Sequence, residues 1–286
     1  MRAEKTIMRQ VPGAVMAAML AACSNASPDQ PVQPSATPIT EASDPAAAAT
    51  AAATAAAAPL PVAKPVSIDD STPLYEFSYA YPVQAAAIPA LAGWFKADAA
   101  KMKHELVVHA KEGQSEAKAD GRAYYPYGHS TKWDVVTDLP GWLSLSAQRW
   151  ESLGGAHPNP WQEGLVWNKA GGKRMKAADL FASHAALSVA IRTPFCAALD
   201  KQRAEKRGGA VNRKSGDQFD ECIDPAAQTV ILGSNDKAHF TRIGILVDPY
   251  SAGPYTEGNY TVTLPVTAAV LHAVKPQYRS AFAVPH

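Results

Sequence analysis

The sequence predicts an α+β domain: two main helices packed on a largely antiparallel sheet. Three observations predict it. Aromatic residues alternate at Tyr75, Phe77 and Tyr79, the period of a half-buried strand. Apolar residues then recur every fourth position at Leu187, Ile191, Phe195 and Leu199, the stripe of a helix that buries one face. The period returns to two at Ile243, Ile245 and Val247. Helices and strands that come in separate runs are the pattern of an α+β fold.

In chain order, Leu74–Tyr79 reads as the first strand. Pro89 then opens a helix, at the first-turn position where its missing N–H costs nothing. The stripe of Leu91, Phe95, Ala99, Met102 and Leu106 carries this helix forward, and Gly113 is expected to end it. Trp133 and Val135 begin a second strand region. Pro140-Gly141 suits the central pair of a type II turn, so Trp142–Trp150 should return antiparallel. There Leu143, Leu145 and Ala147 alternate with Ser144, Ser146 and Gln148, which predicts one core face and one wet face. A strand over Gly164–Asn168 and a hairpin across Gly171-Gly172 follow. The second helix spans Ser183 to Arg207, stopped by Gly208-Gly209, with Pro194 expected to kink it or break it in two. After the strand from Ile243, a turn rich in Pro, Gly and Tyr leads to a last strand, Tyr260–Leu264.

The amino-terminal third reads differently. Arg2, Lys5 and Arg9 form a positive stretch, and Val11–Leu20 is an apolar run about half the ~20 residues that a membrane-spanning helix needs. It ends at Leu20-Ala21-Ala22-Cys23, which resembles a bacterial lipobox. Small residues there let a signal peptidase reach the backbone, and the Cys23 thiol is the group that takes the lipid. Residues 1–22 are therefore expected to be a lipoprotein signal peptide, and Cys23 the lipidation site holding the chain on a bilayer. Ser24, where inner-membrane retention usually shows Asp, favours the outer membrane, with the domain facing the periplasm. Residues 23–72, with the alanine run Ala46–Ala58, have too few aromatic and branched side chains to offset their ordering entropy, and read as a disordered tether. The domain is expected over 73–286, as one body or as two lobes meeting near 140.

Charge and cysteines narrow the class. A formal net charge of +1 argues against a nucleic-acid binder. With Cys23 lipidated, Cys196 and Cys222 form an even pair in an oxidising compartment. A disulfide between them would close a loop worth on the order of 3 kcal/mol. Asp217, Asp220, Glu221 and Asp224 surround Cys222 and can meet the basic run Lys201–Lys214, or stay solvated.

Motifs for chemistry are sparse. His104 and His109 are five apart, whereas a zinc helix needs four to put both rings on one face. His129, His157, His184 and His239 show no ligand spacing, and the cysteines fit no zinc pattern. No metal and no cofactor is implied. There is no Gly-x-Ser-x-Gly elbow, and no catalytic residue is assigned. His157 is the one histidine framed by glycine and proline, so its backbone is fixed. It either serves a binding loop or bonds the turn that it sits in. Aromatics in turn-rich segments complete the candidate binding set: Tyr125 and Tyr127, Trp161, Tyr250 and Tyr255, together with His157. Aromatic faces of this kind pack on sugar rings and anchor protein interfaces.

Several stretches carry a resemblance. They are Gly154-Gly155-Ala156-His157-Pro158, Trp167, Gly172-Lys173 and Asp179-Leu180-Phe181, then Asp248-Pro249-Tyr250, Gly253-Pro254-Tyr255-Thr256-Glu257-Gly258 and Val262-Thr263-Leu264-Pro265. Over Leu74 to Lys275 the chain resembles an uncharacterised extracytoplasmic domain family. That family is found in the lysozyme-sensing anti-sigma factor of Bacillus and as the non-catalytic module ahead of a peptidoglycan deacetylase domain. The resemblance implies binding of a lysozyme-like protein. The sequence shows no sigma-binding segment and no transmembrane helix, so the signalling role is not carried over, and the basic run Lys201–Lys214 departs from the pattern. Three functions follow as expectations: a membrane-anchored envelope lipoprotein that binds peptidoglycan or a lysozyme-like protein, an envelope hydrolase that uses His157 with a carboxylate or metal, or a structural lipoprotein.

Overall fold

The computed structural model describes residues 62–285. The expected signal peptide, the expected lipidation site Cys23 and most of the expected tether lie outside those residues. Residues 62–285 lie within one compact unit.

Among the described residues nine strands make two sheets. The first has six strands in sequence order: β1 (Val66–Ser71), β2 (Tyr75–Tyr81), β3 (Tyr127–Asp138), β4 (Trp142–Ser152), β5 (Asn159–Asn168) and β6 (Lys173–Met175). All neighbours are antiparallel except β2 and β3, which run parallel. The parallel pair exists because a crossover separates those strands: α1 (Val83–Ala86) and the long α2 (Pro89–Ala119). The second sheet is β7 (Thr229–Gly233), β8 (Arg242–Val247) and β9 (Tyr260–Pro265), all antiparallel. Between the sheets in sequence lies α3 (His184–Arg207), and α4 (Ala268–Ala273) follows β9. The α+β class, mainly antiparallel with two main helices, stands.

Two cores hold this together. α2 lays Leu91, Phe95, Ala99 and Leu106 on one face of the six-stranded sheet, against Phe77, Tyr79, Trp133, Leu143 and Leu145. α3 sets Leu187, Ile191, Phe195 and Leu199 in a second core with Val230, Leu232, Ile243, Ile245 and Val262. β7 crosses the opposite face of the first sheet at β5. A Cβ on Gly164 would stand 2.8 Å from the Val230 carbonyl oxygen, so only glycine permits this approach.

Several expectations are corrected. Val66–Ser71 falls inside the expected tether, yet it pairs along its whole length with β2; the alternation of Val66 and Ile68 was hidden by the polar neighbours. Gly113 does not end α2, which continues to Ala119. Its glycine serves a close approach instead: a Cβ there would run into the ring and hydroxyl of Tyr127. Pro194 does not split α3. The apolar stripe is continuous across it, and the proline lies on the exposed side of the helix. Ser144 is not on a wet face but fully buried, because β7 covers that end of the sheet and Leu232 N–H donates to Ser144 Oγ at 3.4 Å. β3 and β5 each begin earlier than predicted, and β7 was not foreseen.

The ends of α3 follow local chemistry. Ser183 Oγ caps the first turn by accepting from Ala186 N–H at 3.0 Å, and Gly208 closes the last turn at φ 69°. Cys196 and Cys222 stand at disulfide distance, Cα to Cα 5.5 Å, tying α3 to the segment before β7. Among the described residues no helix is long and apolar enough to cross a membrane.

Two glycines make a paired test. Gly164→Ala should destabilise the domain by about 1–3 kcal/mol, since a backbone carbonyl cannot step aside. Gly93→Ala lies inside α2 with open space around it and should stabilise by about 0.5–1 kcal/mol. Urea melts of the two variants against the parent check both signs.

Candidate functional site

Two loops far apart in sequence meet at the β4–β5 turn. The first is 153–158. Gly154 takes φ 81° there, and a Cβ would press on the Tyr127 ring, so the turn is seated on Tyr127. The second is 248–259, between β8 and β9. His157 from the first loop stacks on Tyr255 from the second, with ring centroids 3.8 Å apart and planes 19° from parallel. Tyr250 closes the third side, 6.2 Å from the imidazole and 5.7 Å from Tyr255. Tyr255 Oη donates to the Pro158 carbonyl at 3.0 Å. His157 Nδ1 also bonds that carbonyl, at 2.9 Å, so Nδ1 carries the proton. Nε2 pairs with Tyr250 Oη at 3.3 Å. His157 is exposed, and Tyr250 remains 56% exposed.

The second loop is held from behind by α3. Arg203 is fully buried and donates through Nε to the Ala252 carbonyl at 2.9 Å and through Nη1 to Glu221 O at 2.9 Å. Arg207 grips Glu257 through Nε at 2.8 Å and Nη2 at 3.1 Å, and Asp220 through Nη1 at 2.7 Å. Tyr260 also donates to Glu257. Burial pushes the Glu257 carboxyl up, but the bonds and charge of Arg207 and the Tyr260 hydroxyl outweigh it and hold its pKa below the usual range. A Cβ on Gly253 would strike Glu257, and Gly258 sits at φ 65°; this is why the motif Gly253–Gly258 is bounded by glycines. From the front, Asp248 Oδ1 accepts from Gln162 N–H at 2.9 Å. Burial leaves that carboxyl above the usual range despite the bonds from Gln162. Tyr250 itself adopts φ 67°, a left-handed conformation that a bulky side chain holds only under constraint.

The remaining predicted residues lie elsewhere. Trp161 points to the α2 face and meets His129 edge-on, with centroids 5.9 Å apart. Tyr127 is half-buried between α2 and the 153–158 turn, and serves as a support. Tyr125 is 78% exposed and joins none of the others. The histidines do not converge: His184 sits by Asp224, His239 by Asp236, and His129 bonds Thr131 Oγ1 at 2.9 Å. Among the described residues no three of His, Cys, Asp and Glu are grouped to hold a metal. A cleft of about 780 Å³ at the start of α2, lined by Val83, Ala87, Ile88, Leu143 and Trp167, contains none of the predicted residues.

Sequence reasoning missed a buried polar cluster beside Trp161. Arg149, 4% exposed, donates through Nη2 to Asp98 at 2.8 Å and Glu163 at 2.9 Å. Tyr79 Oη donates to Asp98 at 2.7 Å, and Trp133 Nε1 to Tyr79 Oη at 3.2 Å. Burial, and with it the Asp98 bond, raises the Tyr79 pKa far above normal. The available signal was Arg149 standing in the core register of Leu143, Leu145 and Ala147. Burial, then the nearby Arg149 charge, pushes the His129 imidazole down to about 4.

Residues 68–160 match the family model described as Deacetylase PdaC. That span takes in Gly154–Pro158 and stops before Trp167. No curated protein matches the sequence. A solved member of the DUF3298 family from Bacteroides fragilis NCTC 9343 is 15% identical, with a TM-score of 0.51 over 71% of this chain and 89% of that one. A DUF3298 family protein from Pseudomonas aeruginosa PAO1 is 14% identical, with a TM-score of 0.45 over 77% of this chain and 96% of that one. At such identity the Bacteroides structure shows the fold alone. The matches are consistent with the resemblance read from the motifs, to an extracytoplasmic domain family found beside a deacetylase domain.

Two predictions arise from these groups. His129 is neutral in the fold at pH values where an unfolded histidine, with a pKa of about 6.5, takes a proton. Stability is therefore complete above about 6.5 and falls as pH drops towards about 4, by up to about 3 kcal/mol. His129→Gln should flatten that part of the profile, read as the difference between two urea-melt series. Tyr250→Asn should keep or raise stability by up to about 1 kcal/mol, since asparagine tolerates a positive φ; a clear loss would mean that the Tyr250 ring is structural.

Proposed function

We propose that this chain is a lipid-anchored envelope protein whose α+β domain binds a cell-wall glycan through the His157–Tyr250–Tyr255 patch. One observation carries the reading. Two exposed aromatic rings, His157 and Tyr250, gather around the half-buried Tyr255 on two loops. Buried Arg203, half-buried Arg207 and glycine-bounded turns hold these loops in place, and Tyr250 keeps a strained backbone. Rigid exposed rings offer contact area at little entropic cost, which suits the flat face of a sugar ring. The anchor at Cys23 and the periplasmic face of the outer membrane come from the lipobox and from Ser24. They would place the patch next to peptidoglycan.

A hydrolase would need a carboxylate or a metal beside His157. Its ring meets a carbonyl and two phenols instead, so binding is the better supported role. The lysozyme-like partner implied by the resemblance is the competing occupant of the same patch.

Purified sacculi separate these readings. The full-length chain should be retained on bare sacculi, and Tyr255→Ala should weaken retention roughly tenfold, equivalent to about 1.4 kcal/mol. Retention only after lysozyme is added would move the partner from glycan to protein. Release of soluble muropeptides would establish a hydrolase.

A further inference from the structure

The six-stranded sheet has a second face, opposite α2, which β7 covers only towards its Ser144 end. At the other end the strand registers set Asp69, Ser78, Ser130, Trp150 and Pro160 in one row across β1 to β5. The adjacent row is Ser71, Glu76, Gly128 and Ser152. Trp150 is 37% exposed, two residues from the end of β4. Its indole leans over Gly128, where a Cβ would stand 2.8 Å from the six-membered ring, so glycine lets the indole lie against the strand. Beside it is a depression of about 160 Å³ lined by Asp69, Ser71, Glu76, Ser78 and Trp150. Ser78 Oγ donates to Ser130 Oγ at 2.8 Å, and Ser67 Oγ to Asp69 at 2.9 Å, which keeps these short side chains in place.

Charge completes the picture. Among the described residues neither Asp69 nor Glu76 makes an ion pair, and the one lysine in the next row, Lys132, is matched by Asp134 at 3.3 Å. An exposed indole with two unmatched carboxylates and short hydroxyls around it suits a ring that carries a positive charge and several hydroxyl groups.

We propose that this face is a second glycan subsite, selective for an amino sugar whose amine is free rather than acetylated. The sugar ring stacks on Trp150, the ammonium faces Glu76 and Asp69, and the hydroxyls reach Ser71 and Ser78. The attraction of a cation to an indole face adds to the ion pairing. The inference rests on the glycan-binding reading and names the sugar class. Pro160 stands in the row of Trp150 and follows closely after His157, so a glycan chain lying on the patch would continue along the row. That row crosses four strand spacings, roughly 19 Å.

The test titrates the full-length chain with the β-1,4 glucosamine tetramer and its fully N-acetylated counterpart, following heat and tryptophan emission. The free amine form should bind at least tenfold tighter. Glu76→Gln, an exposed change that leaves the fold intact, should erase that preference, and Trp150→Ala should weaken both sugars tenfold or more. Equal binding of the two tetramers, or a preference that survives Glu76→Gln, would overturn the proposal. Poly-lysine that displaces the tetramer and depends on the same two residues would reassign the face to a basic protein. Sacculi keep this inference apart from the patch: retention lost in Tyr255→Ala but unchanged in Trp150→Ala leaves the patch and removes the subsite, whereas retention unchanged in Tyr255→Ala removes the patch.

Discussion

Burial of the Arg203 guanidinium is the interaction on which the rest of the carboxy-terminal half depends. A charge taken wholly out of water is tolerable only if most of its donors are met, and breaking one partner would leave it stranded. Arg203 finds backbone carbonyls at Ala252 and Glu221 and a carboxylate at Asp200, 3.4 Å away; its Nη2 has no protein partner. Burial still draws the guanidinium pKa down, with the neighbouring Arg207 adding to it. In meeting those donors α3 fixes two segments at once: the 248–259 loop through Ala252, and the segment leading to Cys222 through Glu221. The disulfide pair closes the same circuit from the other side. Arg207 repeats the device one turn later with Glu257 and Asp220. Within the basic run Lys201–Lys214, Arg203 and Arg207 are thus the internal scaffold of the motif loop.

The amino-terminal half solves the same problem with a sheet. The crossover through α2 makes β2 and β3 parallel, and α2 can then cover only one face. Arg149 lies under that cover with Asp98 and Glu163, in a cluster that joins helix to sheet. The opposite face is shared: β7 takes the Ser144 end, where Gly164 admits it, and the Trp150 end stays open. The two glycines, Gly164 and Gly128, each remove a Cβ for opposite purposes. One brings a strand in, and the other lays a tryptophan flat at the surface.

Local order was legible in the sequence because it is set by near neighbours. The strand after Pro140-Gly141 and the stripe of α3 depend on residues within a few positions of one another; the turn itself falls where expected, but it is not of type II, since Gly141 lacks the positive φ. Gly113, Pro194 and Ser144 were misread because a distant element decides each: Tyr127 packing on α2, the continuous apolar stripe beneath α3, and β7 over β4. The candidate site divides in the same way. His157 was legible as a fixed loop residue, and Tyr250 and Tyr255 as loop aromatics, since glycine and proline frame them. Their meeting was not legible, because it comes from two sheets being brought together. Trp161, expected at the binding surface, turns inward to His129, while Trp150 on the adjacent strand faces outward, a difference of strand parity that a turn-based argument does not see.

Two histidines close the argument. His129 and His157 lie near the same end of the sheet, and the difference between them is water. His129 is walled by Phe77, Trp161 and Thr131 and feels the charge of Arg149, so its imidazole is held neutral. It contributes shape and one hydrogen bond. His157 is exposed, with one ring face against Tyr255 and both nitrogens engaged by groups that fix its orientation. A ring that is oriented but not enclosed is pre-organised for contact, and at Nδ1 it meets a carbonyl rather than a carboxylate. A ring held in this way by its neighbours, yet open to solvent, is what supports the recognition role proposed for this surface.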